Sequence, residues 1–298
     1  MYNFYKLYPL RSFLNKYLHI IMKPVLKKIL QQLAIYHPLQ TFYRSCISAV
    51  TNHYYKLVYA KYKGKGFKCN FCNVTYQQFV PEYPYTAIAN ALTSYQVIAG
   101  YGPNVYCPNC MSKNRERLVL AVLQHTLTID NKKILHFSPE KNLHNYLATK
   151  ANVTSVDIIP GFYKKIDSSI TYADATNLQF ENESFDMIIA NHILEHIPED
   201  IIAMKEMYRV LNTGGMAILQ VPYSEKLIAT IEEPFIKDPT KQEHLFGQKD
   251  HVRIYALTDY VHRLTISGFI VTVLTPPMLA QYAIHAIQAQ ESVILCYK

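Results

Sequence analysis

An α/β fold, with a mainly parallel sheet covered by helices on both faces, is predicted for residues 113–298 of this 298-residue chain. A small metal-binding module and a basic helical head are expected to precede it. Three observations lead there. From Asn114 onward, nearly continuous apolar runs of strand length alternate with stretches of helical period, the pattern of strands buried on both faces. Two Cys-x-x-Cys pairs stand upstream with 34 residues between them. The first acidic residue is Glu82, so the opening segment is purely basic.

The head, residues 1–62, reads as a basic helical extension. In FLNKYLHIIMKPVLKKILQQLAIY, Leu26, Leu30 and Leu33 recur at helical intervals beside Lys23, Lys27 and Lys28, and Pro24 starts or kinks the helix. Up to Val80 there are 12 Lys or Arg and no acid, while the remainder holds the other 18 basic residues against all 22 acids. A net charge of +8 thus hides a strongly basic head on a slightly acidic body. Such asymmetry implies an anionic partner: an anionic membrane surface met by residues 12–36, RNA, or a charged glycan. The plainer alternative is a helix packed on its own protein. No run of 18 apolar residues and no secretory signal is present, so no transmembrane segment is expected. A cytoplasmic setting, with peripheral membrane contact as the variant, follows from that and from the clustered thiols.

Residues 63–112 form the next unit. Cys69, Cys72, Cys107 and Cys110 sit in two knuckles, KCNFCN and YCPNCM, each flanked by turn formers. Four thiolates at this spacing are the zinc-ribbon pattern, and because they fill a tetrahedral shell the Zn2+ is structural.

The C-terminal unit then runs in order. NRERLVLAVLQHTL is a helix, KKILHFS a strand, EKNLHNYLAT a helix, VTSVDI a strand and ITYADATNL a short strand. FDMIIAN follows as a strand, EDIIAMKEMYRVLN as a helix and GMAILQVPY as a strand. LTDYVHRLTIS closes the helices, with FIVTVL and SVILCYK as final strands.

NHILEH contains His192-x-x-Glu195-His196, the spacing of a class of zinc peptidases. A peptidase helix must run through both histidines. Here a strand ends directly before His192 and Pro198 follows, leaving about one turn. A peptidase site is not expected. A strand end in an open parallel sheet is instead a ligand-facing position.

The block FDMIIANHILEHIPEDIIAMKEMYRVLNTGGMAILQVP, residues 185–222, resembles the second half of a class I S-adenosylmethionine-dependent methyltransferase of the type-11 kind. The resemblance extends over roughly residues 132–298 and implies a Rossmann-like sheet of seven strands. Gly214 and Gly215 would end the helix in a left-handed turn. The family's cofactor positions carry over to Asp157 for the ribose hydroxyls, Asp174 with the Ala175 backbone for the adenine, and Asn191 and His192 beside the methyl group. The glycine-rich first loop does not carry over: ILHFSPEKNL puts Ser138, Glu140 and Asn142 where glycines are expected. Ser138 and Glu140 are then expected to line the cofactor, Glu140 by reaching its amino group.

Between residues 224 and 257 lies an acceptor-side insertion with Glu232, Glu233, Asp250, His251, Arg253 and Tyr255. Methyl transfer needs an aligned nucleophile and, for a hydroxyl, a base. His251 is the first candidate base, His192 the second, and Arg253 the candidate anchor for an acidic acceptor. No Asn/Asp-Pro-Pro-Tyr follows the fourth core strand. The expectation is therefore O-methylation of a small-molecule or sugar-containing acceptor. An RNA methyltransferase using ribbon and head to hold RNA is the alternative, and a non-catalytic binding protein with a decayed first loop is another.

Overall fold

The computed structural model describes residues 49–126 and 128–298. The expected basic helix, with Lys23, Lys27 and Lys28, lies outside the described residues. Among those described, no helix is long and apolar enough to cross a membrane.

The described chain enters on helix α1 (49–58), whose Tyr55 joins Tyr59 in packing beside Val80, Val105 and Tyr106. Two small antiparallel sheets follow. Strand β1 (Lys63–Lys68) pairs with β2 (Thr75–Tyr76), and β3 (Val80–Glu82) with β4 (Gly102–Tyr106). A helix absent from the sequence expectation, α2 (Thr86–Ser94), separates β3 from β4.

The remaining elements are α3 (Asn114–Thr126), β5 (Lys133–Phe137), α4 (Lys141–Ala148), β6 (Asn152–Asp157), β7 (Thr171–Tyr172) and β8 (Phe185–Asn191). Then come α5 (Asp200–Val210), β9 (Leu211–Gln220), β10 (Tyr223–Ser224), β11 (Ile231–Glu232) and α6 (Pro239–Phe246). The chain finishes with β12 (Arg253–Ala256), α7 (Leu257–Ile266), β13 (Ile270–Leu274), α8 (Pro276–Leu279) and β14 (Val293–Tyr297).

Seven of these strands form one sheet in the order β13-β14-β9-β8-β5-β6-β7. It is parallel from β9 to β7, and β14 runs against both its neighbours. Strand periodicity divides its side chains between two cores. Ile188 and Ala190 of β8 meet Ala203, Met204 and Met207 of α5 and Tyr260 and Leu264 of α7. Met187 and Ile189 point the other way, into Leu118 and Val122 of α3 and Leu143 and Leu147 of α4. Both faces are covered, so β8 reads as an unbroken apolar run. The fold class is the predicted one, an α/β, Rossmann-like sheet.

Three local details differ from expectation. Helix α5 ends at Val210 and β9 begins at once. Gly214 does take the left-handed conformation (φ +76°), but inside β9, where the pairing with β8 skips from Phe185↔Leu211 to Met187↔Met216. It belongs to a bulge and not to a helix cap. Second, β7 is reduced to two residues. Third, the 224–257 insertion is ordered structure: β10 and β11 flank β12 in a three-stranded sheet. Within it α6 is capped by the Asp238 carboxylate and closed by Gly247 at φ +82°.

Arg117 joins the cysteine module to the C-terminal part. Fully buried, it donates to the carbonyls of Ser112, Asn104 and Val105 on one side and of His285 and Ala286 on the other. Its guanidinium also lies 4.7 Å from the Phe79 ring centroid.

Candidate active site

The strand order reverses at β5: β6 and β7 lie on one side of it, β8 and β9 on the other. In an open parallel sheet this is where a crevice forms beyond the carboxyl ends of the strands. A cleft of about 990 Å³ opens there, at the upper end of the range typical of ligand sites (~300–1,000 Å³). It is lined by the ends of β5, β6 and β8, by Tyr106 and Met111 of the cysteine module, and by the adjoining Lys113.

Two residues at this reversal have left-handed backbone, Ser138 after β5 (φ +44°) and His192 after β8 (φ +57°). Each N–H bonds a carbonyl of the strand on its outer side: Ser138 to Val156 and His192 to Gln220. The two strand ends therefore splay apart over the cleft. Strained conformations of non-glycine residues are characteristic of functional sites.

Asp157 ends β6. One carboxylate oxygen accepts the Ser138 hydroxyl, the other the Ile159 N–H at 2.6 Å, and each oxygen keeps a lone pair for a further donor. Asp174 receives the Thr176 N–H and hydroxyl, both on Oδ1. Ala175 sits beside it, buried at the cleft wall. Between the two carboxylates, Ile158, Ile159 and Phe162 are about half exposed, and all three line the cleft.

Glu140 is held more firmly than the sequence implies. Arg115 Nε donates to one oxygen at 2.7 Å and the Asn191 amide to the other at 2.9 Å. Burial pushes its carboxyl up, but Arg115, the Asn191 amide and nearby His192 outweigh that and hold it below the usual carboxylate range. Asn142 lines the cleft from α4.

His192 and His196 line the cleft; Glu195 between them is fully buried. Glu195 Oε1 lies 3.5 Å from His192 Nδ1 and 3.9 Å from Nε2 of both His196 and His251. Burial pushes Glu195 up, yet the surrounding histidines bring it down to about 2. His192 is lowered from 6.5, by burial and by Arg115, and His251 is lowered to about 4, mainly by burial. His251 is buried and does not line the cleft; its ring packs edge-on to His196 at 4.6 Å.

Arg253 does not line the cleft. It is buried, bonds Glu232 through Nε, and donates to the carbonyls of Leu194, Ile197 and Pro198. The expected anchor is a clamp on the turn that carries Glu195 and His196. Glu195, His196 and Arg115 were not among the expected site residues, although the His-x-x-Glu-His spacing was a signal for the first two. For Arg115 no sequence signal exists, because its partner Glu140 is 25 positions away.

The four cysteines converge on one point. Sγ–Sγ separations are 3.6 Å for Cys69–Cys110 and 3.7 Å for Cys72–Cys107, and all four lie within 4.8 Å of one another. Tetrahedral zinc with ~2.3 Å Zn–S bonds sets an edge of about 3.8 Å. The two knuckles repeat one turn: Asn73 N–H bonds the Cys69 carbonyl and Met111 N–H the Cys107 carbonyl, both with left-handed φ.

The family model described as a methyltransferase domain, type 11, matches residues 140–219. Demethylmenaquinone methyltransferase of Staphylococcus haemolyticus is 43% identical over 49 residues, which is 16% of this chain and 20% of that protein. The chain thus spans about a fifth of the length of the curated relatives it matches. Among solved structures, an S-adenosylmethionine dependent methyltransferase from Mesorhizobium loti aligns at 14% identity and TM-score 0.42. The alignment covers 60% of this chain and 96% of that one. The complex of the Haloferax volcanii Trm112 methyltransferase activator with a methyltransferase aligns at 11% identity and TM-score 0.45, covering 62% and 90%. The match to the methyltransferase domain family is confined to residues 140–219, the stretch that carries Glu140, Asp157, Asp174, Asn191 and His192.

Proposed function

We propose that this methyltransferase transfers its methyl group to a hydroxyl of a small-molecule or sugar-containing acceptor, with His192 as the base. One observation carries this reading. His192 lines the cleft at the end of β8 with Nδ1 3.5 Å from the buried Glu195 carboxylate, while its Nε2, itself buried, has no hydrogen-bond partner among the described residues. A carboxylate on one ring nitrogen fixes the proton there and leaves the other nitrogen to accept one, as a general base requires. His192 thereby takes the role first expected of His251.

The residues present fit the cofactor. Asp157 has lone pairs for the two ribose hydroxyls, Asp174 has an oxygen for the adenine amino group, and the Ile158, Ile159 and Phe162 wall suits a flat base. Glu140, with Arg115 and Asn191, shapes the end of the cleft where the amino-acid portion would lie. When bound, S-adenosylmethionine supplies an electrophilic methyl on a sulfonium. Asn191 and His192 would border that position, and Tyr106 and Met111 of the module, with the adjoining Lys113, line the same cleft.

The cysteine module supports this arrangement by holding its wall in place. We read Cys69, Cys72, Cys107 and Cys110 as the ligands of a structural Zn2+, on the Sγ separations given above. The test of the function is transfer of labelled methyl to a panel of hydroxyl-bearing acceptors and to RNA, with wild type and His192→Gln. Transfer to a hydroxyl acceptor, reduced ~10²–10⁴-fold in the variant with cofactor binding intact, is expected. Transfer to RNA bases alone, unaffected by the variant, would contradict it.

A further inference from the structure

We infer that Glu195, His196 and His251 bind a divalent transition-metal ion at the edge of the cleft, at a site separate from the four cysteines. The inference goes beyond the methyltransferase reading and does not rest on it. Glu195 Oε1 is 3.9 Å from His196 Nε2 and 3.9 Å from His251 Nε2, and the three ligand atoms all lie within 4.8 Å of one another. Two metal–ligand bonds of ~2.1 Å span up to about 4.2 Å. Each carboxylate–imidazole pair is therefore within the span of two such bonds, and side-chain rotation would draw all three atoms onto one ion.

Glu195 is the observation that calls for a cation. Its side chain is fully buried, yet neither carboxylate oxygen has a hydrogen-bond donor among the described residues. A buried carboxylate in that condition is costly unless a charge compensates it. Of the three histidines around it, His196 and His251 stand at 3.9 Å, beyond hydrogen-bond contact, and His192 Nδ1 at 3.5 Å stands at its outer limit. An ion drawn between them would complete the carboxylate's shell.

The histidines are arranged as ligands. His196 Nδ1 lies 3.3 Å from the Asp250 carbonyl and 3.5 Å from its carboxylate. Those acceptors hold the proton on Nδ1 and leave the Nε2 lone pair directed at Glu195, the relation that outer carboxylates and carbonyls have to metal-bound histidine. The positions are also fixed. Arg253 clamps the Leu194–Pro198 turn, and Val252 N–H bonds the Glu195 carbonyl at 3.0 Å, tying the two ligand-bearing segments together. Two imidazoles and one carboxylate favour zinc, cobalt or nickel over magnesium or calcium. Three protein ligands leave a position open, and His196 borders the cleft on that side. The peptidase geometry rejected above is not restored, since Leu194–His196 is a single 3-10 turn. The third ligand comes from His251, 55 positions on.

The test is titration of Co2+ into the full chain with its four cysteines already filled with zinc. One Co2+ per chain is expected, with d–d absorption and without a sulfur-to-metal charge-transfer band. His196→Gln, at a partly exposed position, and His251→Gln should each weaken binding at least about tenfold, with unchanged circular dichroism for His196→Gln. Absence of cobalt binding, absorption showing only the sulfur band, or binding that His196→Gln leaves unchanged would overturn the inference.

Discussion

The Ser138 hydroxyl donates a hydrogen bond to the Asp157 carboxylate, joining the end of β5 to the end of β6 across the floor of the cleft. Ser138 holds a left-handed φ of +44°, the conformation that glycine adopts freely, and its side chain is occupied by Asp157. The missing glycine is thus replaced by a residue that takes a glycine-like backbone and helps position the carboxylate.

Ser138→Gly should be tolerated. It relieves a strain of ~1 kcal/mol and loses one hydrogen bond of similar size. Cofactor affinity within about threefold of wild type is the expected outcome. Ser138→Val, β-branched at positive φ, should lose binding. Calorimetry on both variants checks this, and equal losses in the two would contradict the glycine-like role.

With His192 as the proposed base, the pH dependence of methyl transfer follows from its ionisation. Its pKa is lowered from 6.5, first by burial, so the neutral imidazole that accepts a proton persists below the ordinary histidine range. The acidic limb of the rate profile under saturating cofactor should lie below pH 6.5. A limb above that value would assign the base elsewhere.

If the four cysteines hold zinc as proposed, its chelation should unfold the module, and with it the part of the cleft lining formed by Tyr106 and Met111. Arg117→Met, which leaves carbonyls of the module and of residues 285–286 without their donor, should cost on the order of 3 kcal/mol. Thermal melts with and without chelator, and of the variant, measure both effects. A variant as stable as wild type would show that Arg117 does not join the two parts.

Glu291 offers a stability test. Burial raises its pKa from 4.5 to about 7, against the pull of Arg115, and one oxygen has no partner among the described residues. A carboxyl whose folded pKa is raised binds its proton more tightly in the folded state. The stability it supports is therefore present below pH 4.5 and lost as pH rises through about 7. Glu291→Gln should gain on wild type by about 3 kcal/mol between pH 4.5 and pH 8. Denaturation curves at the two pH values decide it, and a constant difference would refute the raised pKa.

Much of this fold was legible because its signals are local. The apolar run of β8 and the helical period of α5 lie within single windows, and so do the cysteine knuckles. Asp157 and Asp174 were picked out by the family resemblance alone, and both line the cleft. What escaped is made by partners distant in sequence: Arg115 with Glu140, Arg117 with residues 285–286, Glu195 with His251. Arg253 misled for the same reason, since a lone arginine in a polar insertion does not disclose that the carbonyls it clamps are more than 50 positions upstream. Helix α2 was missed because its pattern falls between two knuckles that read as turns.

Calorimetric titration of the zinc-loaded full chain with S-adenosylmethionine, alongside Asp157→Ala, tests the central claim most directly. Micromolar binding by wild type and its loss in the variant are expected, because Asp157 is the proposed acceptor for both ribose hydroxyls and it anchors Ser138. A folded wild-type protein that does not bind, or a variant that binds equally well, would contradict the assignment of this cleft to the cofactor.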